Sequence, residues 1–437
     1  MQKALQQFLS LHIKPEQRLL LGFSGGLDSC VLLHLLVEAR QTIPFDLHAM
    51  HVHHGLSANA DQWAEFCRTQ CALLHVPFTI VRVHVAKNSK LGLEAGARQL
   101  RYEALLNDGT AADFVLTAHH QDDQAETLLL QLFRGAGVKG LASMAAIDQP
   151  RRLLRPLLAA SRSSLQNYAE QQGLAWCEDE SNTNTHYERN FVRHDVLPIL
   201  AARNPAIKTV LARSAAHLAE ANDLLNTLAA MDAETLLVDN SLCLQGMAKL
   251  DLARAKNLLR YWLANHQLEM PSAEQLAEIT QQLLHAKADA NIDIQLSQKN
   301  QLQHLSLKRY QHRAYLIKAQ YAQSFDLVWN GEPQLSLPNG GQLIFSQVQG
   351  AGLALKLGMT KLRISLRNGG ESFKPNSLRP TRTLKHLLQE ANMPPWQREH
   401  IPLVYWHDTL AFVPGIGVSH ELQAGENEPG LSIVWQA

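Results

Sequence analysis

The sequence predicts a doubly wound parallel α/β sheet, followed by a mostly helical middle domain and a small α+β C-terminal domain. Three observations predict it. Over the first ~150 residues short apolar runs alternate with amphipathic stretches, the order that builds a parallel sheet covered by helices. Residues 205–290 are rich in Ala, Leu and Gln, with Leu211, Leu218, Leu225 and Leu228 recurring at helical spacing. From Ile292 the pattern shifts to short polar/apolar strands, punctuated by Gly340, Gly341, Gly350, Gly352 and Gly358. At about 150 residues per domain, a chain of 437 suits three, placed at 1–215, 216–330 and 350–437.

The apolar run 18–23 reads as a buried strand, and 29–40 as a helix carrying Val31, Leu32, Leu35 and Leu36 on one face. Strands follow at 45–52, 78–85 and 113–118, and helices at 61–74, 94–107 and 122–133. Ser161 is placed to cap a helix over 161–172 that Gly173 stops, and a helix over 190–203 is disturbed at Pro198. One further helix is expected near 383–391.

Composition narrows the class. A chain 46% hydrophobic and 18% charged is neither disordered nor fibrous. Forty basic and forty acidic residues exclude a uniformly basic coat for nucleic acid. The charge is uneven, however. Arg134, Lys139, Arg151, Arg152, Arg155 and Arg162 stand against Asp148 alone in 134–162, a net +5. Lys361, Arg363, Arg367, Lys374, Arg379, Arg382, Lys385 and Arg398 outweigh Glu371 and Glu390 in 361–398, a net +6. The stretch 219–251 is net −5. Two basic patches on a neutral protein suit local contact with a polyanion, or solvated faces that balance. The five cysteines are odd in number and contain no C-x-x-C, which fits a reducing compartment. No secretory leader or membrane-spanning run is read, so the cytoplasm is the expected location.

The turn after the first strand carries the clearest chemistry. Ser24, Gly25, Gly26, Leu27, Asp28 and Ser29 join it to the first helix of the sheet. Paired glycines let the backbone approach an anion and take positive φ. The N–H groups and dipole of the helix start then favour phosphate. No lysine follows, so this is not the G-x-x-x-x-G-K-[ST] loop. Asp28 beside a phosphate calls for Mg²⁺ or a capping role.

Two further motifs end the second and fourth strands, and a parallel sheet puts all three on one rim. One is His51-Val52-His53-His54-Gly55-Leu56. The other runs Thr117-Ala118-His119-His120-Gln121-Asp122-Asp123-Gln124-Ala125-Glu126-Thr127. Asp122 and Glu126 are four apart and Asp123 and Glu126 three apart, so each pair shares a helix face. Such carboxylates suit Mg²⁺ or an amine. A zinc site built from His51, His53, His119 and Asp122 is an alternative, as are surface histidines with capping acids. His51, His53, His119 and His120 receive no definite role.

The loop S-G-G-L-D-S resembles that of the N-type ATP pyrophosphatases, the PP-loop superfamily of Rossmann-like α/β enzymes that cleave ATP to AMP and pyrophosphate. H-V-H-H-G-L, the segments 92–102, 117–127, 132–141 and 155–158, Asp179-Glu180-Ser181-Asn182 and 187–193 together resemble the tRNA(Ile)-lysidine synthetase family. The stretch 369–375 is similar to its long bacterial form. Relatives often carry Asp or Asn where His53 stands. Thiolating relatives depend on paired cysteines, which this sequence lacks.

The resemblance implies an ATP-dependent ligase joining free L-lysine to carbon two of the wobble cytidine of the isoleucine tRNA with a CAU anticodon. The intermediate is an adenylated tRNA, and pyrophosphate and AMP are released. ATP would sit on residues 24–29, with Mg²⁺ held through ATP and not directly by the protein. Asp28 and Asp123 are the implied catalytic residues, and Asp123 and Glu126 the implied lysine contacts. Arg134, Lys139, Arg189, Arg193, Arg363, Lys374, Arg382 and Lys385 are the implied tRNA contacts, with Trp396 nearby. A homodimer is admitted and no membrane partner is expected. Another tRNA-modifying or amidating PP-loop enzyme, a zinc-dependent hydrolase, and a tRNA-binding module with a dead ATP site are the alternatives.

Overall fold

A computed structural model describes residues 1–84, 93–107, 112–178, 180, 184–287, 290, 292–297, 304–318, 324–355 and 361–436. Gly92, Asp179, Ser181 and Asn182 of the motifs above, and Gly358 among the glycines that punctuate the later strands, lie outside the described residues. The chain forms two compact units, Met1–Leu228 and Ala229–Ala437.

The first unit opens with helix α1 (Gln2–His12), then alternates β1 (Arg18–Gly22), α2 (Leu27–Ala39), β2 (Asp46–His53), α3 (Ala60–Leu73), β3 (Phe78–Arg82), α4 (Leu93–Asn107), β4 (Phe114–Leu116) and α5 (Gln121–Phe133). Short α6 (Val138–Leu141) leads to a two-residue pair, β5 (Ile147–Asp148) and β6 (Leu153–Leu154). The sheet order is β3-β2-β1-β4-β6-β5, parallel except for the antiparallel β5 edge. Leu19 and Leu21 of β1 enter one core with α1, α2 and Cys67 and Cys71 of α3, while Leu20 enters the other with Leu105 of α4. That split follows from the period of two along a strand. Leu21 pairs with Ala49 of β2 and Leu116 of β4, so the carboxyl ends of these strands are level.

Helix α7 (Arg162–Gln171) is capped by Ser161, whose Oγ accepts from Ser164 N at 3.2 Å, and Gly173 follows at φ +61°. The disturbance expected at Pro198 is a π turn over Val192–Val196, between α8 (Glu188–Phe191) and α9 (Leu197–Arg203). Proline has no N–H to continue the ladder, and the register shift comes just before it. Helix α10 (Ile207–Leu236) runs through the boundary expected at 215/216.

In the second unit the helices expected of the middle domain are accompanied by an antiparallel sheet. Strands β7 (Leu237–Val238) and β8 (Ser241–Cys243) precede α11 (Leu244–Met247), α12 (Leu252–Asn265) and α13 (Ala273–His285). Strands β9 (Asp293–Ser297), β10 (His304–Tyr310) and β11 (Arg313–Lys318) then complete an antiparallel sheet ordered β7-β8-β11-β10-β9. Trp262, Leu258 and Leu259 of α12 pack with Leu242 and Leu307 of that sheet. The C-terminal module is α+β, and strand pairing starts it before residue 350. Strands β12 (Asp326–Trp329) and β13 (Gln334–Ser336) pair with later strands. These are β14 (Gln342–Gln349), β15 (Leu353–Ala354), β16 (Leu362–Ser365), β17 (Ser372–Phe373), β18 (Arg382–Thr383), β19 (Leu403–Trp406), β20 (Thr409–Val413), β21 (Gly417–Val418) and β22 (Pro429–Gln436). They form antiparallel sheets β12-β16-β19-β20-β21, β13-β14-β22-β15 and β17-β18, joined by α14 (Leu384–Glu390) and α15 (Pro395–Arg398). Among the described residues no helix is long and apolar enough to cross a membrane.

Candidate active site

Residues 23–26 turn the chain from β1 into α2. Gly25 takes φ +82°, and a Cβ there would stand 2.9 Å from Cys67 Sγ and 3.3 Å from the Phe66 ring. Positive φ and the close approach of α3 together demand glycine. The Gly25 carbonyl accepts from Cys177 N at 2.8 Å and from Cys30 Sγ at 3.3 Å. Gly26 is the N-cap and places no side chain over the first turn, whose N–H groups lack intrahelical partners. Ser24 Oγ and Ser29 Oγ lie 3.1 Å apart, and Ser29 Oγ donates to Gly26 O at 2.9 Å. Open N–H groups at the start of a helix form an arrangement that favours an anion.

Asp28 stands in that first turn. Its Oδ2 lies 3.3 Å from Arg162 Nη1 and 3.4 Å from His120 Nε2, while its Oδ1 is buried with no hydrogen-bond partner. His120 begins α5 and is 1% exposed. Its N–H donates to Asp123 Oδ2 at 2.9 Å, and its Nε2 lies 3.5 Å from the same oxygen. Burial opposes a charge on this ring. The bond to Asp28 and the charges of Asp123, Asp28 and Asp122 outweigh it and raise the pKa.

Asp122 points away from the acids beside it. It accepts from Arg162 N at 3.1 Å and from Lys208 Nζ at 2.6 Å, tying α5 to α7 and α10. Burial pushes its pKa up, but Lys208 and the Arg162 N–H hold it below the usual carboxylate value. Asp123 and Glu126 do share a face of α5. Arg189 Nη2 meets Asp123 Oδ1 at 2.8 Å and Arg189 Nε meets Glu126 Oε2 at 2.7 Å. Arg193 Nε meets Glu126 Oε1 at 2.6 Å and its Nη2 meets Oε2 at 3.0 Å. Burial would raise the Asp123 pKa, but His120, Arg189 and His119 drive it well below the carboxylate range. Arg189 and Arg193, read from sequence as RNA contacts, therefore pair with the two acids read as amine contacts. Buried carboxylates demand such partners. Spacing alone puts the arginines on one face and the acids on another, without saying that the two faces meet.

The histidines divide by environment. His51 Nδ1 donates to Phe23 O at 3.0 Å, and His119 Nδ1 lies 2.8 Å from Thr117 Oγ1. Burial pushes His119 down to about 3 and, with Arg101, His54 down to about 4. His53 Nε2 lies 3.2 Å from Asp61. Among the described residues no three His, Cys, Asp or Glu side chains gather to hold a metal, so the zinc reading finds no ligand cluster. The cysteines are free.

Arg134 ends α5 and Lys139 lies on α6, both exposed, near Leu132 and Phe133, each 56% exposed. In the second unit Arg363 lies 3.7 Å from Asp326 and 4.7 Å over the Tyr405 ring. Arg382 pairs with Glu390, Lys385 is exposed on α14 and Lys374 is half-buried. Trp396 packs against Tyr315 and Tyr310, with centroids 5.3 and 6.1 Å away. Sequence reasoning did not single out Arg162, Lys208 and Cys177 as site residues. Arg162 was counted in the basic patch, and Lys208 and Cys177 reach the site by tertiary contact alone.

Residues 1–200 match the family described as the PP-loop domain, 242–315 the TilS substrate binding domain and 362–435 the TilS substrate C-terminal domain. The tRNA(Ile)-lysidine synthase of Nitrosomonas europaea is 41% identical over 439 residues, which cover 98% of this chain and 93% of that protein. The chain belongs to the tRNA(Ile)-lysidine synthase family. The synthase of Serratia proteamaculans is 40% identical over 435 residues, covering 98% of each chain. The solved U34-tRNA thiolase NcsA of Methanococcus maripaludis has a TM-score of 0.44 and 22% identity, covering 50% of this chain and 78% of its own. Every segment of this synthase-family chain that carries site residues, apart from the span 201–241, falls within a matched region or flanks one.

Proposed function

We infer that this chain is an ATP-dependent ligase with lysidine synthase activity on tRNA(Ile), working through its PP-loop domain and its substrate-binding domains. The observation that carries the inference is near full-length membership of the family, joined to a glycine-shaped cradle at the start of α2 beside the acids of α5.

ATP lies with its terminal phosphates on Ser24–Ser29, where helix N–H groups stabilise the departing pyrophosphate. The orphaned, buried Asp28 Oδ1 suits a cation, so Asp28 would face the Mg²⁺ that ATP carries. Bound there, Mg²⁺ would offset phosphate charge. The carbonyl oxygen at carbon two of the wobble cytidine attacks the α-phosphorus of ATP. A poor leaving group becomes a good one, AMP carrying the oxygen away. The neutral ε-amine of L-lysine attacks carbon two, the bond from carbon two to the AMP oxygen breaks as the C–N bond forms, and the proton released from nitrogen passes to water. Asp123 is the acid we assign to the lysine ammonium, because it keeps 11% side-chain exposure against 2% for Glu126. Glu126 chiefly anchors Arg189 and Arg193, the second of which holds both of its carboxylate oxygens. Arg134, Lys139, Arg363, Lys374, Arg382 and Lys385 are assigned to the tRNA backbone, where phosphate contacts position the substrate. Five free cysteines suit the reducing cytoplasm.

Sustained pyrophosphate and AMP release should require ATP, Mg²⁺, tRNA(Ile) with a CAU anticodon and L-lysine together. Release that needs ammonia or glutamine in place of lysine would overturn the assignment and favour an amidating PP-loop enzyme.

A further inference from the structure

We propose that His120 is a positioning residue that holds the phosphate loop and the amine-binding acid in one arrangement, by bridging Asp28 and Asp123. For the amine half, the proposal rests on the lysine reading of Asp123. Three observations carry it.

First, one ring nitrogen addresses both carboxylates. His120 Nε2 lies 3.4 Å from Asp28 Oδ2 and 3.5 Å from Asp123 Oδ2. Of the described ion pairs, those of His120 alone reach both acids. Asp28 belongs to α2 and Asp123 to α5, so the bridge joins the two helix starts that follow β1 and β4.

Second, the ring at the centre of the bridge is buried and fixed. His120 is 1% exposed, and its own backbone N–H holds Asp123 Oδ2 at 2.9 Å. Main chain and ring thus fix the same oxygen. The ring also forms a capping box with the start of α5, its side chain facing the Asp123 N–H, so main chain and acids orient it together.

Third, the acids need it. Two carboxylates converging on one nitrogen repel each other unless a donor stands between them. Asp123 has further support from Arg189, at 17% side-chain exposure, whereas the other cation on Asp28 is Arg162, at 46%. Removing the ring would leave Asp28 on its more solvated partner and free to turn from the cradle. His120 touches protein carboxylates through its one donating position, and so acts on the reaction through them.

The test separates the two half-reactions on the full-length chain with tRNA. Adenylated tRNA is measured in a single turnover with labelled ATP and no lysine, and lysine KM in the complete reaction. His120→Ala should slow adenylation at least tenfold and raise lysine KM at least tenfold, with tRNA Kd within twofold. His120→Gln restores a neutral N–H donor and should recover part of both losses. Asp28→Asn calibrates the adenylation arm and Asp123→Asn the lysine arm. If His120→Ala moves one arm and leaves the other within twofold, or leaves both, the coupling is wrong. If Asp123→Asn leaves lysine KM unchanged, the lysine reading falls, while the effect of His120 on adenylation still stands or falls by itself. Thermal midpoints guard against misfolding, and if His120→Ala does not fold, His120→Gln and His120→Asn carry the same comparison. Equal loss in Ala and Gln variants, with no change in the ratio of the two arms across variants, would mark a merely structural residue and overturn the proposal.

Discussion

Arg193 closes on both oxygens of Glu126, with Nε 2.6 Å from Oε1 and Nη2 3.0 Å from Oε2. Arg189 adds a third bond to the same carboxylate at 2.7 Å. Glu126 is 2% exposed at its side chain, so nothing from solvent can replace it. Glu126→Ala leaves two guanidinium groups facing each other with one acid between them, and should cost about 3–5 kcal/mol. Urea unfolding measures it. A loss below about 1 kcal/mol would show that water screens the cluster after all. Arg193→Lys should not rescue the packing, because an ammonium cannot match the forked geometry.

Gly25→Ala tests the cradle directly. The new methyl meets Cys67 Sγ at 2.9 Å and must sit at φ +82°. Strain of this kind costs roughly 1–3 kcal/mol. ATP affinity, read by calorimetry, should fall at least tenfold. An alanine variant that binds ATP within twofold of the native protein would refute the cradle.

Acid should weaken the first unit before its carboxylates titrate. Burial holds His119 down to about 3 and His54 to about 4 in the folded chain, against 6.5 when unfolded. Between these values the unfolded chain binds more protons, so stability falls as pH drops from about 6.5. Asp122 and Asp123 are shifted down from 3.8 and stay charged in that window. His120 is shifted up, so its contribution is complete below 6.5 and fades only as pH rises through its raised pKa. The thermal midpoint should therefore decline from pH 6.5 to 4.5, and His54→Gln should flatten the decline. An identical slope in the variant would contradict the assignment.

Binding of tRNA should weaken steeply with salt, each lost phosphate contact removing about 0.7–0.9 from the log–log slope. Arg134→Ala and Lys139→Ala, at exposed positions, should each lower affinity and make the slope shallower. A loss of affinity with the slope intact would mean that these residues do not meet phosphate.

The alternation from 18 to 133 was legible because each strand is a buried apolar run and each helix repeats its apolar face. Strand and helix ends moved by only a few residues. Strands β5 and β6 were not legible: two residues carry no period, and they sit in a stretch whose charge drew the eye to RNA. The sheet of the second unit escaped notice in part because β8 must pair with β11, 70 residues later, before either is a strand. At the site, the gathering of residues 24–29 with 119–126 followed from parallel topology. The pairing of Arg189 and Arg193 with Asp123 and Glu126 did not, since spacing places charges on a face without saying which face meets it.

The grip of Cys177 N on the Gly25 carbonyl spans 152 positions of chain. Synthesis proceeds from the amino end, so the nucleotide loop emerges from the ribosome long before the peptide group that braces it. Nascent chains released short of that residue would own every letter of the loop, yet lack the buttress that shapes it. Ribosome-bound truncations at successive lengths should therefore gain ATP binding in a step once residue 177 has emerged, and binding already present in shorter chains would show that the loop shapes itself without this bond.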